Sequence, residues 1–305
     1  MSRIRPREGF ALIVVLWALL LLGALAAAFS LSMRTGAEAA RYGLDEERAY
    51  FQAYSGIQRT MALLSTLPAD NVFALEIRAA SEDAGYEVAL EGESGKINVN
   101  LVQPGLLLEI LLNGGLTKEE AERLRDAIVE WRSPKAAPDQ APAADYAGLR
   151  EPLTPRYGPF RSVEELKSVA GVAPGLYRSF LSRVFTVFGN GPVDVNRASE
   201  TVLRAVPGMT EEAVAAIVET RREAPIRDAA KLAGLLGQGG NGVPSQALAM
   251  LTAAAGSTAV TVTAAGRSGP VVRPVRCLVS VEGTGKGSVQ IVRWIDKAEM
   301  DGEAR

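Results

Sequence analysis

The chain has 305 residues, with 33 Lys and Arg against 35 Asp and Glu, and its formal net charge is -2. It contains no histidine, which excludes Ser-His-Asp and Cys-His nucleophile systems, histidine-ligated zinc and a histidine general base. Its single cysteine, Cys277, cannot form an intrachain disulfide or a thiolate metal cluster, and no paired carboxylates stand out as an acid-base couple, so no enzymatic function is expected.

Residues 10–33 form an uncharged apolar run. The run has 24 residues, about 36 Å as a helix, which is enough to cross a hydrocarbon core of roughly 30 Å. Three arginines precede it within residues 2–9, and Arg34 and an acid-rich segment follow it. This asymmetry favours a cytoplasmic N-terminus, with residues 35–305 on the far side of the membrane.

Three kinds of segment share this pattern: a cleaved secretory signal, an ordinary signal anchor and the leader of a prepilin. Residues 24–28 imitate a signal cleavage site, but the apolar run continues past them. The short basic leader ends in Gly9 directly before Phe10. This junction resembles the class III leader of type IV pilins and type II secretion pseudopilins. The resemblance implies cleavage between Gly9 and Phe10 by a prepilin peptidase, followed by methylation of Phe10.

The resemblance assigns residues 1–9 to a leader and keeps the apolar helix on the mature protein. The predicted membrane anchor includes Phe10, Leu12, Ile13, Val14, Val15, Leu16 and Trp17. Most pilins carry Glu at the fifth mature position, where this chain has Val14. A lone carboxylate in lipid is costly without a partner. Its absence therefore suits a subunit with no neighbour above it, which in that family is the tip subunit.

Residues 10–67 are predicted to form one long helix. No proline occurs from Arg34 to Leu67, and apolar residues recur there at helical spacing. The predicted apolar face consists of Leu44, Phe51, Tyr54, Ile57, Met61 and Leu64. Pro68 marks the end of the helix. The rod is interpreted either as a plain membrane stalk or as the shared helix by which pilin-like subunits stack into a fibre.

Two β regions flank a helical region. Residues 85–101 alternate around glycines and predict a hairpin, and residues 259–265, 271–282 and 288–295 predict a meander in which 283–287 is a turn. The predicted fold class is α+β, with the long helix packed on a small antiparallel, pilin-like sheet and a large all-α insertion. The predicted segments are the leader 1–9, the helix 10–67 with membrane span 10–33, the first sheet part 68–101, the inserted helical domain 102–252, the closing strands 253–297 and the tail 298–305.

The helical region contains an internal repeat. Residues 97–100, Ile-Asn-Val-Asn, are echoed 96 residues later by residues 193–196, Val-Asp-Val-Asn. Further pairs are residues 115–117 with 208–210, residues 128–130 and Arg132 with residues 217–219 and Arg221, and residues 159–161 with 225–227. The region is therefore predicted to hold two related helical units. Thr117 with Glu120, and Ser162 with Glu165, have capping-box spacing, which predicts helix starts.

Residues 202–209 resemble a helix-hairpin-helix motif, whose turn presents backbone N–H groups to a DNA phosphate. A membrane-anchored DNA-binding receptor is therefore an alternative function. The turn has Thr210 where the motif usually has its second glycine, and Glu211 and Glu212 follow, which repel a phosphate. Residues 97–251 hold 17 Lys and Arg against 18 Asp and Glu. Structural hairpins without a nucleic-acid partner are favoured.

Along nearly the whole chain, the order of motifs resembles the minor pseudopilin K family of type II secretion (general secretion pathway protein K). The motifs are the leader 8–12 with no acid at Val14, residues 94–100, 158–166 and 193–199, and Pro207-Gly208 before the closing strands. The resemblance implies a pilin fold with an inserted helical domain, an anchor in the inner membrane and a C-terminal domain in the periplasm.

The same resemblance implies partners and a role. The minor pseudopilins I and J are expected partners at the tip of the pseudopilus, together with the major pseudopilin and the prepilin peptidase. The expected role is to initiate or cap assembly and to support export of folded proteins across the outer membrane. A minor pilin of a type IV pilus is a further alternative.

Family members often have an acid-rich segment, associated with calcium, after a helix similar to residues 128–131. Here only Asp139 and Asp145 are nearby. Calcium takes about six to eight oxygen ligands, so Asp139 and Asp145 are interpreted as two isolated surface acids. No cofactor is expected, and calcium is suggested by the family resemblance alone.

Cys277 is predicted to be a buried apolar residue, and Trp131 and Trp294 are predicted to lie in the core.

Overall fold

The computed structural model describes residues 8–67, 72–73, 75–134, 146, 154–189, 191–237, 248–253, 259–282 and 288–296. Its first element is the helix α1 (Glu8–Thr66), which runs unbroken for 59 residues, roughly 90 Å. The prediction of one long helix is confirmed, with its ends at Glu8 and Thr66. Leader residues 1–7 and tail residues 298–305 lie outside the described part of the chain.

The described residues form nine strands and seven further α-helices. The strands are β1 (Ile77–Ala80), β2 (Ala84–Gly92), β3 (Ile97–Asn98), β4 (Phe185–Thr186), β5 (Val193–Asp194), β6 (Leu251–Thr252), β7 (Ala259–Ser268), β8 (Val271–Glu282) and β9 (Ser288–Ile295). The helices are α2 (Pro104–Asn113), α3 (Lys118–Arg132), α4 (Pro174–Leu176), α5 (Ser182–Val184), α6 (Glu200–Ala205), α7 (Glu211–Glu223) and α8 (Ala229–Gly237). A π-helical turn, Tyr177–Leu181, joins α4 to α5.

Five antiparallel strands form one sheet in the order β1-β2-β7-β8-β9. β2 and β7 are direct neighbours, although the whole helical region separates them in sequence. The helices are therefore inserted between adjacent strands of the sheet, and the fold is α+β, as predicted.

The predicted hairpin over residues 85–101 is wrong beyond β2. After β2, the chain turns through a 3-10 helix, Glu93–Gly95. Residues 97–98 then form β3, which pairs in parallel with β4 inside the helical region. The predicted sheet segment 68–101 therefore includes the start of the helical region. Local alternation cannot tell a nearby hairpin partner from a partner far along the chain.

The second half of α1 packs across one face of the sheet. Ala49, Ala53 and Ile57 are fully buried in this contact. A Cβ atom at Gly266 of β7 would lie 1.9 Å from the carbonyl oxygen of Ala49 and 2.4 Å from the amide nitrogen of Ala53. Helix and strand backbones are therefore in direct contact, which only glycine permits at this point.

Half of the predicted apolar face of α1 turns away from the sheet. Ile57 and Leu64 are buried as expected, but Leu44 and Phe51 are 58% and 61% exposed. The buried stripe consists of residues 49, 53, 56, 57, 60 and 64, which share one side of the helix. Because two alanines, Gly56 and Thr60 make up most of that stripe, a prediction based on large apolar side chains selects the wrong side of the helix.

The helical region has a hydrophobic core of its own. Its fully buried residues include Leu107, Ile128, Phe185, Leu203 and Ile217. A separate cluster between α1 and the sheet contains residues 57, 64, 262, 275 and 279. The sheet thus carries α1 on one face and meets the helical region at its other side.

Candidate membrane anchor and assembly surfaces

The first half of α1 stands apart from the rest of the fold. The predicted anchor residues Leu12, Ile13, Val14, Val15, Leu16 and Trp17 are all exposed. Among the described residues, α1 is the one helix long and apolar enough to cross a membrane, and none of its most apolar window is buried. A helix satisfies its own backbone hydrogen bonds in lipid, and burial of apolar surface there is favourable. This half of α1 is therefore consistent with a single-pass membrane anchor.

The predicted processing site falls in the first turns of α1. The backbone of Gly9 and Phe10 is helical, and the surroundings of their side chains lie outside the described residues. Val14 is exposed on the same helix, and residues 10–33 around it carry no charge. Cleavage at the Gly9–Phe10 bond stays a prediction.

Beyond the membrane segment, α1 presents an exposed apolar surface, which we call the outer face: Leu44 and Phe51. These residues are seven apart, close to two helical turns, so they lie on one side of the helix. Ala49 and Ala53 hold the opposite side against the sheet. A helix fixed to its own sheet by one side thus keeps an apolar side open for contact with another molecule.

The two helical units repeat the same side-chain hydrogen bonds at equivalent positions. The side-chain amide of Asn100 accepts from the Phe160 backbone nitrogen at 2.8 Å and donates to the Phe160 carbonyl at 3.0 Å. Asn196 makes the same two bonds with Ile226, at 2.7 and 2.8 Å. These residue pairs are the ones that the sequence repeat makes equivalent, so the repeat records a shared three-dimensional arrangement.

Each helical unit contains an arginine that makes the same kind of hydrogen bonds. Arg132 is the last residue of α3 and Arg221 lies in the last turn of α7, and each guanidinium donates to two backbone carbonyls. The acceptors are Val99 and Val102, the latter at 2.6 Å, for Arg132, and Val195 and Ala198, at 2.7 and 2.5 Å, for Arg221. Burial lowers the pKa of both arginines. The repeat aligned the two arginines, but sequence reasoning did not assign them this role.

Contacts in the turn that resembles a helix-hairpin-helix favour a structural role. The Thr210 hydroxyl accepts from the Ala213 backbone nitrogen at 3.2 Å and so caps the helix Glu211–Glu223. Glu211 bonds Arg204 at 3.0 Å. The helix start is thus occupied by its own threonine and lined by acids, which is unfavourable for a phosphate.

One of the two predicted capping boxes is present. Thr117 and Glu120 each accept from the other's backbone nitrogen, so this prediction is confirmed. At Ser162 a helix start is confirmed, since the 3-10 helix Val163–Ser168 begins there, but the Ser162 side chain makes no capping bond. Glu165 instead accepts from the Arg161 backbone nitrogen and from the Arg156 guanidinium, both at 3.1 Å.

A buried carboxylate joins the sheet to the helical region. Glu93 is only 4% exposed. It accepts hydrogen bonds from the Thr186 hydroxyl of β4 at 2.5 Å and from the Thr261 hydroxyl of β7 at 2.6 Å. The ammonium of Lys96 lies 3.4 Å from the same carboxylate. Sequence reasoning missed Glu93, since its partners lie far along the chain and no local pattern marks it.

The start of the first unit also touches the start of the second. A Cβ atom at Gly95 would lie 2.5 Å from the carbonyl oxygen of Arg197 and 2.7 Å from the backbone nitrogen of Ala198. On the other side of the units, the Asn113 side chain donates to the Ala205 carbonyl at 3.2 Å. Both contacts hold the two units together.

The remaining predictions concern metals and isolated residues. Asp139, Asp145 and the turn 283–287 lie outside the described residues, within which no group of three or more His, Cys, Asp or Glu is placed to hold a metal. Cys277 is buried as predicted, and burial raises its pKa to about 12. Trp131 is buried and stacks on Phe160 with ring centroids 6.0 Å apart, so its core prediction is confirmed.

Comparisons with known proteins agree with this architecture. Residues 71–188 match the first-domain profile of type II secretion system (T2SS), protein K, and residues 193–252 match a second profile of the same protein. A chain in the crystal structure of the GspK-GspI-GspJ complex from the enterotoxigenic Escherichia coli type 2 secretion system is similar in fold, with a TM-score of 0.62 at 13% identity. That likeness covers 86% of this chain and 100% of the other. No curated protein matches the sequence.

A long helix with a free apolar half, an antiparallel sheet and an insertion of two helical units define a subunit of the pseudopilin class. The two profile matches together span more than half of the sequence. The chain belongs to the type II secretion system protein K family, whose members are structural subunits of secretion pseudopili.

Proposed function

We propose that this protein is a non-enzymatic minor pseudopilin at the tip of the type II secretion pseudopilus, where it initiates or caps assembly and supports export of folded proteins. The observation that carries the proposal is α1, whose uncharged first half is free of the fold while its second half is fixed to the sheet. The arginines in residues 2–9 support an inner-membrane anchor with the folded part in the periplasm. The proposal requires no cofactor.

Processing by a prepilin peptidase tests the membrane part of the proposal. Coexpression of the full chain with the peptidase is expected to give a mature protein that begins at Phe10, and intact mass would also detect methylation of that residue. A Gly9→Ala variant serves as the control and should stay uncleaved. A cut at another bond, or cleavage without the peptidase, argues for an ordinary signal and against the proposal.

The tip position rests on Val14 and on the bulk of the helical insertion. A carboxylate at position 14 would need a neighbouring subunit to neutralise it in lipid. A tip subunit has no neighbour above it, so the uncharged Val14 suits that position. The similar E. coli chain is part of a complex with GspI and GspJ, which supports the minor pseudopilins I and J as partners. Gold labelling of the folded part should mark one end of the fibre, and labels along its length would refute the tip position.

The outer face of α1 is the proposed contact with these sibling subunits. Leu44→Gln combined with Phe51→Gln is expected to leave the Tm unchanged, because both side chains are exposed, while capture of the minor pseudopilins falls several-fold. Leu101→Gln is the matched control, since Leu101 is 58% exposed in the helical region. Equal losses in both variants would show that the outer face has no special role.

Loss of the gene distinguishes the remaining alternatives. The proposal predicts that exoproteins are retained while surface pili persist. A minor type IV pilin would give the opposite pair of phenotypes. A DNA receptor would instead show salt-dependent retardation of duplex DNA by the full chain in detergent.

A further inference from the structure

A cleft of about 350 Å³ lies between the sheet and the helical region. Its sheet wall is formed by Thr261, Arg276, Leu278, Arg293 and Ile295. Val262 and Cys277, which are adjacent in sequence to Thr261, Arg276 and Leu278, belong to the core beneath α1. Because side chains alternate along a strand, the cleft opens on the face of the sheet turned away from α1.

The cleft has a surplus of positive charge. It is lined by six cations, Lys96, Lys167, Arg178, Arg183, Arg276 and Arg293, and by three acids, Glu91, Glu93 and Glu164. All three acids are already paired: the first two with Lys96, at 3.0 and 3.4 Å, and the third with Arg293, at 2.8 Å. Within the described ranges, no carboxylate forms a salt bridge with Arg178 or Arg183.

The two arginines that form no salt bridge within the described ranges lie at the π-helical turn. Arg178 lies within Tyr177–Leu181, and Arg183 follows in the next short helix. Both side chains line the cleft, and Lys167 lies beside them with its ammonium 4.6 Å from the Tyr177 ring centroid.

The sequence that follows β9 carries three acids in alternation. Residues 297–305 come one residue after β9, and Glu299, Asp301 and Glu303 occupy every second position between Lys297 and Arg305. In an extended chain the three carboxylates point to one side, with one cation at each end of the row. β9 already places Arg293 and Ile295, also odd-numbered, in the wall of the cleft. Nine extended residues reach about 30 Å, which is ample to cross the cleft.

We propose that the cleft is the docking site of segment 297–305, which continues the direction of β9 and sets its three carboxylates against Arg178, Arg183 and Lys167. The docked segment ties the end of the sheet to the helical region, beside the Glu93 contact but independently of it. The proposal does not rest on membrane insertion or on the place of the protein in the fibre.

Hydrogen–deuterium exchange of the full chain in detergent micelles tests the docking. At low salt, amides of segment 297–305 should exchange about tenfold more slowly than in the free peptide, as expected for a few screened ion pairs. Arg178→Gln with Arg183→Gln, or 0.5 M salt (about a 4 Å screening length), should abolish this protection. Arg123→Gln with Arg222→Gln removes two exposed arginines elsewhere and should preserve it.

A composition-matched variant tests the alternation itself. Exchanging each acid with the residue after it (E299M/M300E, D301G/G302D, E303A/A304E) keeps the charge but moves the carboxylates to even positions, and should remove the protection. Combining Lys167→Glu, Arg178→Glu and Arg183→Glu with Glu299→Lys, Asp301→Lys and Glu303→Lys should restore it. Exchange of the native segment at the free-peptide rate would overturn the proposal, as would protection that appears only when a sibling pseudopilin is added.

Discussion

Arg132 and Arg221 show how single residues set the geometry of the two helical units. Each guanidinium reaches from the end of a helix to two carbonyls just after the unit's first strand. A hydrogen bond from a charged donor contributes about 1.5–3 kcal/mol, and an unmade one leaves a buried acceptor unsatisfied. The planar fork of arginine can serve two acceptors at once, which a lysine ammonium does less well.

Arg221→Lys is therefore expected to lower the free energy of unfolding by about 1–3 kcal/mol. Urea unfolding of the detergent-solubilised chain, followed by circular dichroism, measures the change. The neighbouring Arg222→Lys is the control, because Arg222 is exposed and forms an exposed ion pair with Glu219, and its effect should stay within about 0.5 kcal/mol. Equal effects of the two substitutions would show that the Arg221 hydrogen bonds make no special contribution to stability.

At the scale of elements, the contact between α1 and β7 fixes the long helix against the sheet. The contact is made by backbone and small side chains, since Ala49 and Ala53 meet the strand at Gly266. Close approach allows the helix to lie flat on the sheet. It also leaves Leu44 and Phe51 outside, where they are available to a neighbouring subunit.

Gly266→Ala is predicted to destabilise the protein by about 1–3 kcal/mol or more, because its methyl group would enter the space of the Ala49 carbonyl. Thermal unfolding monitored by circular dichroism should show the loss as a lower Tm. Gly105→Ala is a suitable control: no atom lies within 4 Å of its added Cβ, and alanine is the better helix former. A Tm for Gly266→Ala at or above the control value would contradict the packing described.

At the scale of the whole molecule, polar contacts hold the sheet and the helical region in one arrangement. Glu93 is buried between them, and the partly buried pair Arg293–Glu164 spans the same joint at 2.8 Å. Burial on its own would raise the pKa of Glu164, but a backbone hydrogen bond and the charge of Arg293 outweigh it, so the pKa is lowered from 4.5.

The lowered pKa of Glu164 makes the stability of this contact depend on pH. Since the folded state holds the Glu164 pKa below its unfolded value, the unfolded chain binds more protons as pH falls. The stabilisation is therefore present above about pH 4.5 and is lost as pH falls through the folded pKa. Urea unfolding should show that the difference between the native chain and Glu164→Gln shrinks on acidification. Glu109→Gln, at an exposed position, should show no such trend.

Much of the fold and of the anchor was predictable from local sequence. The uncharged run 10–33, the continuous helix and the closing strands follow from composition and periodicity, which respond to burial within one segment. The repeat even paired Asn100 with Asn196 and Arg132 with Arg221 before any contact was known, because each unit needs the same bonds to close.

The sequence by itself thus determined the long helix, the three closing strands and the likeness of the two helical units. Only the tertiary structure decided which side of α1 meets the sheet, that residues 97–98 pair with β4 rather than in a hairpin, and that Glu93 lies at the joint. The physical reason is that these outcomes depend on distant partners. A small residue such as Gly266 or Ala49 permits close backbone contact without leaving any apolar signal of its own.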